Sequence, residues 1–333
     1  MRVAIVGAGL MGRWHAYYAA KAGAAVTAIV DRDPRMAATL QDKHPRAQTF
    51  TELRECLDRC GIDVVHVCTP SSSHVPLAAA ALDGGKHVLV EKPLAGSLAA
   101  TERLIALARR RDLFLNPTHQ FPFQRGVQQL DRDEGRLGEP VRLAFVTCTA
   151  GGDGLAPAER RAVLLDILPH PLALFRAVLR ADIRDIAWDS TLLTDDDLEL
   201  RGTLRGVQVH ALLSLRGRPT RNSLTVFGTA GTAHVDLFHG FRLIERGRPS
   251  RRTKLVQPFA FGGKVILAAG GNALSRGVHR EPAYPGLAGL IARFHRAAMD
   301  GTDPPIDVAE MVDVAALREQ LGGTVAPAAA REP

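Results

Sequence analysis

Cysteine is scarce, with only Cys56, Cys60, Cys68 and Cys148 in 333 residues. No pair has the CxxC spacing of a zinc site, and four thiols are too few for a disulfide scaffold. A reducing cytoplasm is therefore the expected setting, and no metal is expected. Aromatic residues make up 5% of the chain, which argues against a stacking platform for single-stranded nucleic acid. No apolar run is long enough to span a bilayer. The apolar start at residues 3–6 runs straight into glycines that have another use, so a signal peptide is not expected either. The net charge is +7, but acids are scattered among the bases. The densest basic runs, residues 109–111 and 246–254, lack interleaved aromatics and read as solvated surface. Neither a nucleic-acid nor a membrane partner is expected.

What remains is an ordinary globular composition, 46% hydrophobic and 23% charged, in a chain long enough for two domains. Over the first 115 residues, short continuous Val/Ile/Leu runs alternate with amphipathic stretches. Strands are expected at 3–6, 26–30, 48–50, 64–68, 87–90 and 113–115, with helices between them and Thr51 capping the third. This is the pattern of a parallel sheet covered on both faces. Beyond residue 120 the pattern changes. Strand-like segments at 141–149, 183–188, 198–204, 207–215, 223–227, 233–238 and 241–245 are separated by Gly, Asp or Arg-Gly turns, as in a mostly antiparallel sheet. Residues 246–285 read as a long irregular connection, and helices return at 286–299 and 308–321. The expected fold is α/β. A doubly wound Rossmann domain over 1–120 precedes an α+β domain for substrate binding and oligomerisation over 121–322, and a frayed tail covers 323–333.

Gly7-Ala8-Gly9-Leu10-Met11-Gly12 is a GxGxxG between a strand and a helix, the context that gives the motif physical meaning. The first glycine permits the turn, the second admits a pyrophosphate, and the third lets helix and strand pack closely. Phosphate oxygens then meet free N–H groups at the helix start. Asp31 ends the second strand, placed to accept from both ribose hydroxyls and to repel a 2′-phosphate. That favours NAD. The neighbouring Arg32 could instead pair with a 2′-phosphate, so NADP is the alternative.

Val-Leu-Val-Glu91-Lys92-Pro93, about 80 residues after the glycine motif, resembles the Gfo/Idh/MocA family of NAD(P)-dependent oxidoreductases. Cys68-Thr69-Pro70 with His74, the turn Phe227-Gly228-Thr229-Ala230-Gly231-Thr232, and Tyr284-Pro285-Gly286 agree with it. The resemblance spans nearly the whole chain. It implies dimers or tetramers packed through the C-terminal sheet, and a cofactor held by Gly7, Gly9, Leu10, Met11, Gly12, Asp31, Arg32, Thr69, Pro70, His74, Glu91 and Lys92. Read from the residues, Lys92 stands at the C-terminal end of a strand, where ligands bind in open parallel sheets. Pro93 keeps it extended, so its ammonium can polarise a substrate oxygen. The family's Asp and His resemble Asp166 and His170. If a helix begins near Asp166, the two lie four apart on one face, with His170 as general acid or base and Asp166 touching the substrate or tuning His170. Pro169 departs from the family pattern. So do His119 and Gln120, on the family's substrate side, which points to an unusual substrate.

The expected activity is hydride transfer between nicotinamide and the hydroxyl or ketone carbon of a sugar, cyclitol or related derivative. A reductase of an imine or conjugated double bond stays open, as does a non-catalytic dinucleotide-binding sensor. Retention of Lys92 and His170 argues against the sensor.

Overall fold

A computed structural model describes residues 1–247 and 254–325. Two compact units emerge. One is Met1–His119 with Leu287–Glu319, and the other is Gln120–Gly286 with the stretch from Gln320. A single cut near residue 120 therefore misses a return. Helices expected in the second domain belong largely to the first unit.

In the first unit the elements follow one another as β1 (Arg2–Val6), α1 (Leu10–Lys21), β2 (Ala25–Val30), α2 (Pro34–Gln41), β3 (Gln48–Phe50), α3 (Leu53–Arg59), β4 (Val64–Val67), α4 (His74–Asp83), β5 (His87–Val90), α5 (Leu98–Arg110) and β6 (Leu115–Pro117). All strand pairs are parallel, in the order β3-β2-β1-β4-β5-β6. This is the doubly wound order, with its switch point between β1 and β4. The apolar runs are continuous because helices cover both faces: Val3, Ala4, Ile5, Ile29, Val64, Val65, Val88, Leu89 and Val90 are all completely buried. Asp33 caps α2 by accepting from Arg35 N–H, and Ser97 caps α5 by accepting from Ala100 N–H. Thr51 is not the cap of α3; Glu52 holds that position without a side-chain bond.

The second unit opens with two single-turn helices, α6 (Arg125–Gln128) and α7 (Glu134–Leu137). Then come β7 (Pro140–Cys148), α8 (Pro157–Ile167), α9 (Pro169–Leu179) and six strands: β8 (Asp189–Thr194), β9 (Asp197–Leu204), β10 (Val207–Ser214), β11 (Arg221–Gly228), β12 (Gly231–Asp236) and β13 (Phe241–Arg246). The sheet order is β13-β12-β11-β7-β10-β9-β8, antiparallel except for the β7–β10 pair. One face buries Leu143, Phe145, Val209, Ala211, Leu213 and Leu224. Helix α8 packs on β10. Against the expectation that no run is long enough to span a bilayer, the stretch Pro157–Leu179 is long and apolar enough to cross a membrane by length and composition. Its Leu164, Leu168, Leu172, Leu174 and Phe175 are, however, completely buried in the fold, as in the core helices of a globular unit.

Two expectations fail here. Residues 183–188 are not a strand. Asp182 accepts from Arg184 N–H at 2.8 Å to set a 3-10 turn at Ile183–Asp185, and the Trp188 indole donates to Ile183 O at 2.8 Å. The irregular connection over 246–285 is replaced, past the undescribed residues 248–253, by the 22-residue helix α10 (Gln257–Val278). Pro258 suits a first turn, and the Ala and Leu residues between the glycines are strong helix formers. In β10, Val209, Ala211 and Leu213 point inward. Outward-facing Gln208 accepts from Arg142 Nε at 2.9 Å, and His210 Nε2 lies 2.7 Å from Glu199 Oε1.

Helices α11 (Leu287–Asp300) and α12 (Val308–Val325) complete the described chain. Helix α11 packs on α1. Of the tail expected to fray from residue 323, residues 323–325 close α12 and 326–333 lie outside the described residues.

Candidate functional site

The glycine motif holds its three positions for three different reasons. Gly7 has φ of +93°, and a Cβ there would lie 2.8 Å from Cys68 O. A Cβ on Gly12 would fall 1.8 Å from Gly7 O, so only glycine lets α1 rest on the turn beneath it. At Gly9 nothing lies within 4 Å of the Cβ position. No side chain caps α1 and no acid occupies its first turn. Leu10 is 63% exposed beside it. Open space in front of an uncapped helix start suits a pyrophosphate. Met11 is half-buried in the same turn.

Asp31 already holds two backbone partners. Its Oδ2 accepts from Ala8 N–H at 2.7 Å and its Oδ1 from Asp33 N–H at 3.0 Å. The carboxylate thus tethers the glycine loop to the end of β2, and each oxygen keeps a lone pair for a hydroxyl. Arg32 is exposed beside it.

The loops after β4 and β5 are tied together by His74, a buried residue at the start of α4. Its Nδ1 lies 2.7 Å from Pro93 O and its Nε2 2.8 Å from Thr69 O. The Thr69 hydroxyl accepts from Ser73 Oγ at 2.7 Å, and Pro70 is exposed at the turn. The Lys92–Pro93 peptide bond is cis, and Lys92 is half-buried. Glu91, just before it, is buried. Its Oε2 accepts from Lys92 N–H at 3.2 Å and its Oε1 faces His15 Nε2 at 3.0 Å. Burial, the largest single influence, pushes the Glu91 carboxyl up. Its hydrogen bonds, that with His15 foremost, and the Lys92 charge outweigh it and hold the group below the usual carboxylate range.

His119, expected on the substrate side, is buried, with Nδ1 2.8 Å from Glu310 Oε1 on α12. One ring nitrogen is thereby committed to structure. In the second unit Gln120 is also buried, and a Cβ on Gly286 would lie 2.3 Å from its carbonyl oxygen.

Asp166 and His170 do not share one helix that begins near Asp166. Helix α8 starts nine residues earlier, at Pro157, where Glu159 Oε2 accepts from Ala156 N–H at 2.8 Å. Asp166 lies in its last turn. Leu168 separates α8 from α9, because Pro169 and Pro171 supply no N–H to continue the ladder. His170 sits in the first turn of α9, half-buried, its ring stacked on Phe121 with centroids 4.5 Å apart and planes 20° apart. Phe121 was not singled out in the sequence. Its Phe-Pro-Phe setting at 121–123 carried no periodic signal.

Among the described residues no group of three or more His, Cys, Asp or Glu could hold a metal, and all four cysteines are free thiols.

Residues 1–119 match the model of the GFO_IDH_MocA oxidoreductase family, NAD-binding Rossmann fold. That stretch of the chain is thus similar to that family. Among its relatives, a 4-carboxy-2-hydroxymuconate-6-semialdehyde dehydrogenase of Sphingobium sp. is 32% identical over 39% of this chain and 46% of its own length. A myo-inositol 2-dehydrogenase of Thermotoga maritima is 25% identical over 61% of this chain and 62% of its own. The aligned stretches thus span about half to three-fifths of these curated relatives. A solved levoglucosan dehydrogenase, in complex with NADH and levoglucosan, superposes with a TM-score of 0.76. It covers 98% of this chain and 97% of its own at 17% identity, a likeness of fold.

The glycine geometry predicts opposite outcomes for two similar changes. Gly12→Ala should destabilise the first unit by more than about 1–3 kcal/mol, because backbone must move. Gly9→Ala should leave thermal stability within about 0.5 kcal/mol of the parent but weaken dinucleotide binding. Equal melting temperatures for the two variants would refute the assignment. A second expectation concerns His295 on α11, whose pKa burial lowers to about 4. The unfolded chain then takes up its proton first, so stability is full above pH 6.5 and falls as pH drops toward 4, by up to about 3 kcal/mol from this group. In urea unfolding the parent should lose up to about 3 kcal/mol more than His295→Phe between pH 7 and pH 4. Parallel pH slopes would count against it.

Proposed function

We propose that this protein is an NAD(P)-dependent dehydrogenase or reductase acting on a hydroxyl or ketone carbon of a sugar, cyclitol or related derivative. The observation that carries this is the pairing, in one unit, of an open, uncapped glycine turn at the sheet's switch point with Lys92 after β5. A bound nicotinamide supplies the hydride chemistry. The chain's own residues supply the rest. Gly7, Gly9, Leu10, Met11 and Gly12 receive the pyrophosphate, and Asp31 receives the adenosine ribose, which favours NAD over NADP. Thr69, Pro70 and His74 shape the neighbouring loop. Lys92 polarises the substrate oxygen and favours its alkoxide character. His170, held by Phe121, exchanges the hydroxyl proton, and Asp166 supports it. Gln120 and the remaining nitrogen of His119 face the substrate in this reading. The named activities of the myo-inositol and semialdehyde relatives support the reaction class.

Tight NADH binding with weak NADPH binding, followed by nicotinamide fluorescence, is the expected first result, and the reverse order would shift the selection from Asp31 to Arg32. With NAD in excess, a screen of cyclitols and sugars should yield a substrate whose turnover falls by at least about a thousandfold in Lys92→Ala. Undiminished turnover in that variant would overturn the assignment.

We further expect two or more copies to associate through the second unit. The support is the apolar exposure of α10, where Phe259, Ile266, Leu267 and Leu274 are each at least 72% exposed. Light scattering that finds only monomer at micromolar concentration would contradict this.

A further inference from the structure

Three buried histidines stand outside the roles assigned so far. They are His15 on α1, His66 on β4 and His295 on α11. They form an unbroken line that ends on Glu91. His295 Nε2 lies 2.9 Å from His66 Nε2, His66 Nδ1 lies 3.1 Å from His15 Nδ1, and His15 Nε2 lies 3.0 Å from Glu91 Oε1. The other oxygen of Glu91 accepts the Lys92 backbone N–H. At the far end His295 Nδ1 is buried with no hydrogen-bond partner among the described residues.

The line has a direction. A charged carboxylate only accepts, so His15 Nε2 carries a hydrogen. Burial, with the neighbouring histidines, holds His66 well below the ordinary imidazole range, and burial foremost does the same for His295. Each therefore has one N–H at neutral pH. If His15 also donated from Nδ1, every bond beyond it would point outward. The chain would end on a buried His295 Nδ1–H with no acceptor and would add a positive charge to the interior. With the bonds pointing inward, the only unmet atom is a lone pair on His295 Nδ1. Orphaned buried N–H groups are the rarer and costlier of the two.

We propose that His15, His66 and His295 are positioning residues forming a one-way hydrogen-bond chain toward Glu91, which fixes its carboxylate against the Lys92 backbone and so sets the loop that carries the catalytic ammonium. His295 donates to His66, His66 to His15, and His15 to Glu91. Each ring's tautomer is dictated by the next, as a carboxylate dictates that of a catalytic histidine. The proposal rests on the reading of Lys92 as the polarising cation, but its test does not pass through turnover.

The test uses the full chain without added ligand. Two-bond proton–nitrogen spectra of histidine-labelled protein at neutral pH should show Nε2–H at His15 and His295 and Nδ1–H at His66. The Lys92 amide, whose bond is to Glu91 Oε2, should exchange with solvent about tenfold faster in His15→Leu. In His15→Gln it should stay within about threefold of the parent, since a glutamine amide can donate to Glu91 while its carbonyl accepts from His66. His66 and His295 should also keep their tautomers in that variant. An Nε2–H tautomer at His66 in the parent overturns the proposal, even if His15→Leu fails to fold. So does unchanged Lys92 exchange in a folded His15→Leu. Should Lys92→Ala retain full turnover while the tautomer pattern holds, the catalytic reading fails and the chain of histidines stands.

Discussion

A carboxylate shut away from water is an expensive object, and the first unit is organised around keeping one charged. Glu91 lies at the end of β5 between a backbone N–H and an imidazole. Desolvation pushes it toward the neutral acid, and its donors win the contest. The consequences spread outward. Helix α1 must bring His15 to it, which requires α1 to sit hard on the glycine turn. That in turn leaves no room for a side chain at Gly12. One close approach thus serves both the glycine turn and the acid beside the proposed catalytic lysine.

The second unit solves a different problem with a similar economy. In the proposed reading His170 acts from the start of a helix, and two prolines two residues apart ensure that a helix starts there whatever precedes it. The result is an interruption at Leu168 in what is otherwise a long apolar stretch. Stacking on Phe121 then orients the ring without consuming a nitrogen.

How much of this could be read from the chain depends on whether a signal is local. The glycine turn was legible because each glycine answers a demand made by atoms within a few residues or on an adjacent strand. The place of Lys92 just after β5 was legible because Glu91 and Pro93 flank it. Asp31 was only half legible. Its position at the end of β2 was clear, but its hold on Ala8 and Asp33 depends on how two loops meet. The histidine line was invisible, since 51 residues separate His15 from His66 and 229 separate His66 from His295. No spacing rule connects such distances. Helix α10 was hidden by its own glycines, which weigh toward loop in any local reading although the intervening residues favour helix. The boundary near 120 misled for a simpler reason. Composition can show where a chain leaves a unit, but not that it comes back.

That return has a meaning in time as well as in space. A ribosome delivers β1 through β6 long before α11, and at roughly 5–20 residues per second the 229 residues from His66 to His295 take on the order of 10–50 s to appear. Throughout that interval the nascent sheet lacks the helix that packs on α1, and His66 lacks its outer neighbour. The nucleotide-binding unit is therefore the first begun and among the last finished, and residues 120–286 of the second unit are made while the first stands open.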